Sequence, residues 1–187
     1  MWIVKRHNPL AYLGIAFAGI VLISTLSYWL TGNLWLSSLF TRRTILLPAQ
    51  LSFYYYDFFS NNELVYLSHS IFRGFLEYPY ELNPAHLIAQ TYFNLPEMGA
   101  NNGITADAYM NFGLAGLAIW AVLLASILKL LDACSKRVEF KIGVAAIVMP
   151  AIVLTNSALL TSLLTHGILL ALLIIYLLPR EAVKNGT

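Results

Sequence analysis

Residues 99–116 read GANNGITADAYMNFGLAG, and here the chain changes from a polar, aromatic segment to a long apolar helix. Glycines on both sides of Asn101 and Asn102 allow the backbone to turn freely. Thr105 is predicted to cap the next helix, with Asp107 in its first turn. The stretch therefore predicts a polar turn that leads directly into a membrane span.

One face of this helix carries polar side chains near its N-terminal end. Asp107 and Asn111 are four residues apart, so they share a helix face. The same face is predicted to continue as a narrow seam that a second helix can approach closely. The seam residues are Leu114, Ala118, Ala121 and Ala125.

The composition indicates an integral membrane protein. Of its 187 residues, 59% are hydrophobic and 11% are charged, whereas an ordinary soluble domain has about 25% charged residues. An all-α integral membrane protein is the expected fold class. Cys134 is the single cysteine, so an internal disulfide is excluded.

Apolar runs predict four transmembrane helices. Residues 142–178 are apolar throughout, but as one helix they would be about 55 Å long, whereas the bilayer core is about 30 Å thick. We therefore expect a hairpin that breaks at residues 155–157, because a break at 166–167 would leave its second span too short. The predicted spans are 10–30, 108–131, 142–157 and 158–178, with an external loop at 31–107, a cytoplasmic loop at 132–141 and a tail at 179–187.

The charge distribution predicts the orientation. The loop 31–107 contains no lysine, whereas the basic residues outside it lie at the opposite ends of the predicted spans. The positive-inside rule then places both termini in the cytoplasm and the loop outside. Within the loop, 46–59 is predicted to form a helix at the membrane surface and 63–75 a second short helix. Three prolines are expected to break the remainder of the loop: Pro79, Pro84 and Pro96.

The arginines of this loop are candidate phosphate ligands. Arg42, Arg43 and Arg73 lie where positive-inside selection disfavours them. A guanidinium binds phosphate oxygens through two parallel hydrogen bonds, which points to a lipid-linked diphosphate. Two alternatives stay open. The adjacent pair can contact lipid headgroups, and Arg73 can pair with Glu77 one helical turn away.

Aromatic and amide side chains of the same region are candidate glycan ligands, because amphipathic rings stack on sugars while amides bind hydroxyls. For most of the rings, an interfacial belt is the alternative. The candidates are Tyr78, Tyr80, Tyr92, Asn101, Asn102, Tyr109 and Asn111.

Acid–base chemistry would fall to Asp107, His86 or Glu97. Asp107 has a structural alternative, because an acid in the first turn complements the helix dipole. His166 lies inside a predicted span, where a neutral imidazole bonded to a neighbouring helix is the favoured interpretation. The sequence has no metal-ligand motif, and we expect neither a metal nor another cofactor.

Together these features resemble the C-terminal part of O-antigen and capsular polysaccharide repeat-unit polymerases. The closest likeness is residues 109–116, YMNFGLAG, and the last hairpin, LTNSALLTSLLTHGILLALLI, is also similar. The resemblance implies a GT-C-like helical enzyme that works without metal. Such enzymes transfer a growing glycan from undecaprenyl diphosphate to a new lipid-linked repeat unit at the outer face of the bacterial inner membrane. It also implies that the loop arginines hold the diphosphate.

Family members have considerably more spans than the four predicted here. The chain is therefore expected to be a polymerase or its C-terminal half, and a split gene, a truncated copy and one half of a complex stay open. The expected partners are membrane lipids and either other polysaccharide-assembly proteins or a separate N-terminal half; nucleic acid is not expected. Two alternative functions stay open. One is an O-antigen ligase-like transferase, and the other is a non-catalytic membrane subunit that binds lipid-linked glycan.

Overall fold

The computed structural model of the protein describes residues 9–135, 138, 142 and 152–178. These residues form helices, turns and loops, with no strand among them. The chain divides into two compact units, Met1–Gln50 and Leu51–Thr187. The helices are α1 (Pro9–Thr31), a π-helical segment (Ser37–Leu46), α2 (Leu47–Asn61), α3 (Pro84–Phe93), α4 (Ile104–Ser135), α5 (Leu159–Leu164) and α6 (Ile168–Leu177).

Three apolar segments of the described chain are long enough to cross a membrane: Gly14–Thr31, Ile104–Ser135 and Leu159–Leu177. They confirm the expected class, an all-α membrane protein. The segment 142–157, predicted as a further span, falls largely outside the described residues.

The first unit is a helical hairpin. Helix α1 is apolar on all sides, and Trp29 is 81% exposed, as suits a helix surrounded by lipid. The π-helical segment packs back against α1, where the hydroxyls of Ser24 and Thr41 lie 2.9 Å apart. The five-residue spacing of π-helical hydrogen bonds is present at its end, where the Leu47 N–H donates to the Arg42 carbonyl.

The predicted surface helix at 46–59 is present as α2, which buries Leu51, Tyr55 and Phe59 on one side. The predicted helix at 63–75 is wrong, because that segment is a succession of turns. Tyr66 and Leu67 have φ angles of 47° and 61°, and two left-handed residues in a row cannot continue a right-handed helix.

Pro84 begins a helix, whereas the sequence predicted that it would break the chain. It occupies the first turn of α3, where the missing N–H costs nothing because that group would have no helical partner. The Asn83 side chain caps this helix by accepting from the His86 N–H. Asn94 ends it in the left-handed conformation, with φ 55°.

Helix α4 contains a sharp kink that the sequence did not predict. Phe112 and Gly113 leave the helical conformation, and Gly113 has φ 59° and ψ −142°. Beyond the kink, a Cβ on Gly116 would lie 2.1 Å from the Ala108 carbonyl oxygen, so only glycine allows this close approach. The parts of α4 before and after the kink therefore pack closely against each other at the bend.

Two local predictions at α4 are wrong for structural reasons. Thr105 is not the cap, because the helix already begins at Ile104 and the Asp107 N–H bonds the Gly103 carbonyl. The predicted seam does not continue the face of Asp107 and Asn111, because the kink changes which residues of the second half lie on the same side as these two. The seam residues Leu114, Ala118, Ala121 and Ala125 are exposed, whereas Gly116 and Trp120 are buried.

The described part of the apolar run that ends at residue 178 contains two breaks, whereas the sequence predicted one. The chain turns at residues 154–157, as expected, and α5 begins at Leu159. A second break occurs at Gly167, whose φ is 87°, and it separates α5 from α6. The His166 ring lies beside this break, with Nδ1 3.2 Å from the Ser157 hydroxyl.

Candidate functional site

Asp107 is the centre of a buried hydrogen-bond network at the start of α4. It is 2% exposed. Its Oδ2 accepts from the Trp120 indole at 2.8 Å and from the Leu159 backbone N–H at 3.2 Å. Its Oδ1 accepts from the Asn111 amide at 3.2 Å. One carboxyl group thus joins both halves of the kinked α4 to the beginning of α5.

Asn111 extends the network to the preceding loop. It is fully buried. Its Nδ2 also donates to the Asp107 carbonyl at 2.8 Å, and its Oδ1 accepts from the Leu67 N–H at 2.7 Å. The Val65 N–H bonds the Met110 carbonyl alongside, at 2.9 Å. The strained turn at residues 66–67 is therefore held by groups of α4.

These contacts define what the network can do chemically. All three partners of the Asp107 carboxyl group are N–H donors, so both oxygens are engaged inside the protein. Trp120 and Leu159 also belong to the apolar core around this site. The arrangement favours a structural role, and the catalytic role of Asp107 stays a prediction.

The other two predicted acid–base residues lie in the loop around α3. The His86 ring is half-buried, with Nδ1 2.7 Å from the Pro96 carbonyl, so this nitrogen carries the proton and donates. Glu97 is exposed. Their roles stay predictions.

The three tyrosines predicted to line a glycan groove have internal partners. Tyr78 donates to the Leu82 carbonyl at 2.7 Å and Tyr80 to the Glu63 carbonyl. Tyr92 donates to the Asp57 carboxylate. Burial, followed by the neighbouring Tyr80, raises the pKa of Tyr78, so its hydroxyl stays protonated.

These rings also pack on one another. Tyr92 stacks on Tyr54 with the ring centroids 4.4 Å apart, while Tyr80 lies edge-on to Tyr78 at 5.7 Å. Between α1 and α4, these ring faces thus pack on other aromatic rings, whereas the sequence predicted that they would pack on sugar.

The remaining predicted glycan ligands are spread along the start of α4 and the turn before it. Asn101 is exposed, and Asn102 is half-buried, with its amide 3.7 Å from the Met110 sulfur. Tyr109 lines an apolar groove of ≈ 320 Å³ together with Tyr56. Asn111 is not available to a ligand, because it is buried in the network described above.

The three arginines are exposed. Arg42 and Arg43 belong to the π-helical segment of the first unit, and Arg73 belongs to the second unit. Arg73 Nη2 donates to the His69 carbonyl at 3.1 Å. A guanidinium has five N–H donors, so this single contact leaves most of the fork for a ligand.

His69 has a buried ring nitrogen that the sequence did not predict. Its Nδ1 is buried and has no hydrogen-bond partner among the described residues. Burial, and then the nearby Arg73, lower the pKa of His69, so the ring is neutral at neutral pH. The sequence did not predict that these two residues would be neighbours.

A second cleft lies beside the strained turn. Its volume is ≈ 350 Å³, and its walls come from residues 63–68 and 76–79. Glu63 and Glu77 are among the residues that line it, together with Tyr66, which is 49% exposed. The sequence did not indicate this cleft, because it predicted a regular helix over most of the first wall.

Within the described residues, no group of three or more His, Cys, Asp or Glu side chains could hold a metal ion. No protein-family model matches the chain, and neither a curated protein nor a solved structure matches it.

Proposed function

We propose that the chain takes part in polymerising lipid-linked oligosaccharide repeat units at the outer face of the cytoplasmic membrane. In this reaction an acceptor sugar hydroxyl attacks the anomeric carbon of the donor glycan, and the bond to undecaprenyl diphosphate breaks. Arg42, Arg43 or Arg73 binds the diphosphate and stabilises the charge that develops as it departs.

The observation that carries the proposal is the position of the Arg42–Arg43 pair. Thr41 contacts Ser24, which lies seven residues before the end of α1, or roughly 10 Å along the helix axis. The neighbouring Arg42 and Arg43 are exposed beside this apolar span, and their long side chains can extend towards its end. A lipid-linked diphosphate presents its phosphates at the end of such a span.

The flanking side chains support the same interpretation. Phe40 is 43% exposed and Leu46 is 57% exposed, on either side of the arginines. Long arginine side chains can cross such apolar surface and keep their charged ends at the headgroup level. A polyprenyl diphosphate combines a hydrocarbon chain with a charged head. On this surface the apolar side chains suit the hydrocarbon chain and the arginines suit the head.

The non-catalytic alternative is favoured by one observation. The oxygens of Asp107 are engaged by three internal N–H donors, so this acid is poorly placed to accept a proton from a substrate. A subunit that binds lipid-linked glycan for another protein would need the arginines and no base. Purified chain that binds the lipid and forms no polymer would favour this alternative.

Arginine substitutions test the proposal in cells that depend on the chain for polymer. We expect Arg42→Ala, Arg43→Ala or Arg73→Ala to abolish long polymer, and lysine at the essential position to restore it only in part. A single ammonium group cannot reproduce two parallel hydrogen bonds to phosphate. Polymer length is read on a gel, with protein level measured in the same membranes.

Glu81→Gln is the control, because Glu81 is an exposed charged residue of the same loop. It should leave polymer length unchanged. Normal polymer in all three alanine variants, at normal protein level, would exclude diphosphate binding by these arginines.

A further inference from the structure

The cleft beside the strained turn has the size and the lining of a ligand site. At ≈ 350 Å³ it lies within the usual range of small-molecule sites, roughly 300–1,000 Å³. One wall consists of Glu63, Leu64, Val65, Tyr66 and Ser68, and the other consists of Leu76, Glu77 and Pro79. The Tyr80 hydroxyl bonds the Glu63 carbonyl and so ties the second wall to the first.

The backbone of the first wall is strained in a way that shapes the cleft. Tyr66 and Leu67 both have positive φ, which is unusual for bulky residues and typically costs on the order of 1–3 kcal/mol each. Val65, Leu67 and Ser68 are buried, whereas Tyr66 is half exposed at the cleft. The turn thus presents one aromatic ring to the cleft and buries its neighbours.

Contacts from α4 keep the turn in this conformation. The Asn111 side chain accepts from the Leu67 N–H, and the Met110 carbonyl accepts from the Val65 N–H. The Tyr66 ring lies edge-on to Phe112, with the ring centroids 5.8 Å apart. The backbone of the turn and one edge of the ring are therefore held before any ligand arrives, which lowers the entropy that binding must overcome.

The chemistry of the lining selects the ligand. Glu63 and Glu77 are hydrogen-bond acceptors when ionised, and none of the described residues that line this cleft is basic. Such a site attracts hydrogen-bond donors and repels phosphate or carboxylate. Tyr66, Leu76 and Pro79 add apolar surface against which a flat C–H face can pack. A sugar ring of a neutral or amino sugar has both features, hydroxyl donors at its edge and C–H groups on its face.

We propose that this cleft binds one pyranose ring of a neutral or amino sugar. Its place in a reaction, as the site of the acceptor sugar, rests on the proposed function, whereas sugar binding itself does not. The carboxylates of the cleft repel a phosphate, so the proposal assigns this cleft to a sugar ring and not to the diphosphate of the donor.

Saturation-transfer NMR on the full chain in lipid nanodiscs tests the proposal. The probes are methyl α-glucopyranoside and methyl N-acetyl-β-glucosaminide, with methyl glucuronide as the anionic comparison. We expect transfer to the ring C–H protons of at least one of the first two glycosides, and weaker transfer to the glucuronide. Each of Glu63→Gln, Glu77→Gln and Tyr66→Ala should weaken binding on the order of tenfold, since each removes a charged acceptor or the ring face.

Two controls separate binding from folding. Tyr66→Phe keeps the ring and should bind nearly as the original chain does. Glu81→Gln removes an exposed carboxylate outside the cleft and should have no effect. The proposal is overturned if neither uncharged glycoside receives transfer, if the glucuronide binds equally well, or if Glu81→Gln weakens binding as much as Glu77→Gln.

This experiment is independent of the polymer assay. If the glycosides bind but the arginine variants make normal polymer, the cleft is a sugar site and the diphosphate role of the arginines fails. If polymer depends on the arginines but no glycoside binds, the proposed function stands without this sugar site.

Discussion

Asp107 shows how one side chain can set the geometry of a whole region. A buried carboxyl group is costly unless its oxygens are satisfied. Here the partners come from three places in the chain, namely Trp120, Asn111 and the backbone of Leu159. The kink in α4 makes this possible, because it lets the second half of the helix bring Trp120 back towards the first turn.

A double-mutant cycle on Asp107 and Trp120 measures this role. Asp107→Asn turns one acceptor into a donor, and we expect a loss of about 1–3 kcal/mol in the free energy of unfolding. Trp120→Phe removes the indole N–H and should also destabilise. Because the residues are bonded, the effects should be non-additive by at least about 0.5 kcal/mol. Unfolding in detergent, monitored by circular dichroism, gives the four stabilities.

Trp29→Phe is the matched control, because its indole is 81% exposed and it should couple to nothing at Asp107. Additive effects of Asp107→Asn and Trp120→Phe would contradict the structural role. A stable Asp107→Asn protein that has lost polymer synthesis would instead support the catalytic prediction.

At the scale of elements, hydropathy and local conformation carry different information. The apolar run after Ile104 correctly predicted a helix, and the cap signals around α3 are readable once Asn83, Pro84 and Asn94 are considered together. The kink was not predictable, because Phe112-Gly113 fits an ordinary helix by hydropathy. Its positive φ depends on tertiary contacts, above all the close approach of Gly116 to Ala108.

Replacing Gly113 tests the kink. Gly113 has φ 59° and ψ −142°, a conformation that only glycine adopts readily. We expect Gly113→Ala to lower the free energy of unfolding by on the order of 1–3 kcal/mol. Gly19→Ala is the control. It lies within helix α1 with no atom within 4 Å of the added Cβ, so it should be neutral or slightly stabilising. Equal effects of the two substitutions would show that α4 does not require the kink.

At the scale of the whole molecule, the sequence predicted the class of protein better than its sites. Composition and apolar length are sums over many residues, so they predicted an all-α membrane protein that the three apolar segments confirm. Site residues depend on individual contacts. Tyr78, Tyr80 and Tyr92 were predicted as sugar ligands from their ring chemistry, yet their hydroxyls bond internal acceptors. The cleft at Glu63 and Glu77 requires a strained turn that no sequence pattern indicated.

The proposed function requires one property of the whole molecule. The segment between α1 and α4 must lie outside the cytoplasm, because the arginines and the sugar cleft are both proposed to meet substrates of the outer face. The lysine-free composition of residues 31–107 predicts this orientation.

Cysteine accessibility in intact cells measures that property directly. Cys134 is first replaced by serine, which leaves no cysteine in the chain. Ser60→Cys and Ser70→Cys then place single thiols at two exposed positions of the segment, and a membrane-impermeant maleimide is applied before and after permeabilisation. The account predicts that both thiols are labelled in intact cells. Labelling only after permeabilisation would place the segment in the cytoplasm and contradict it.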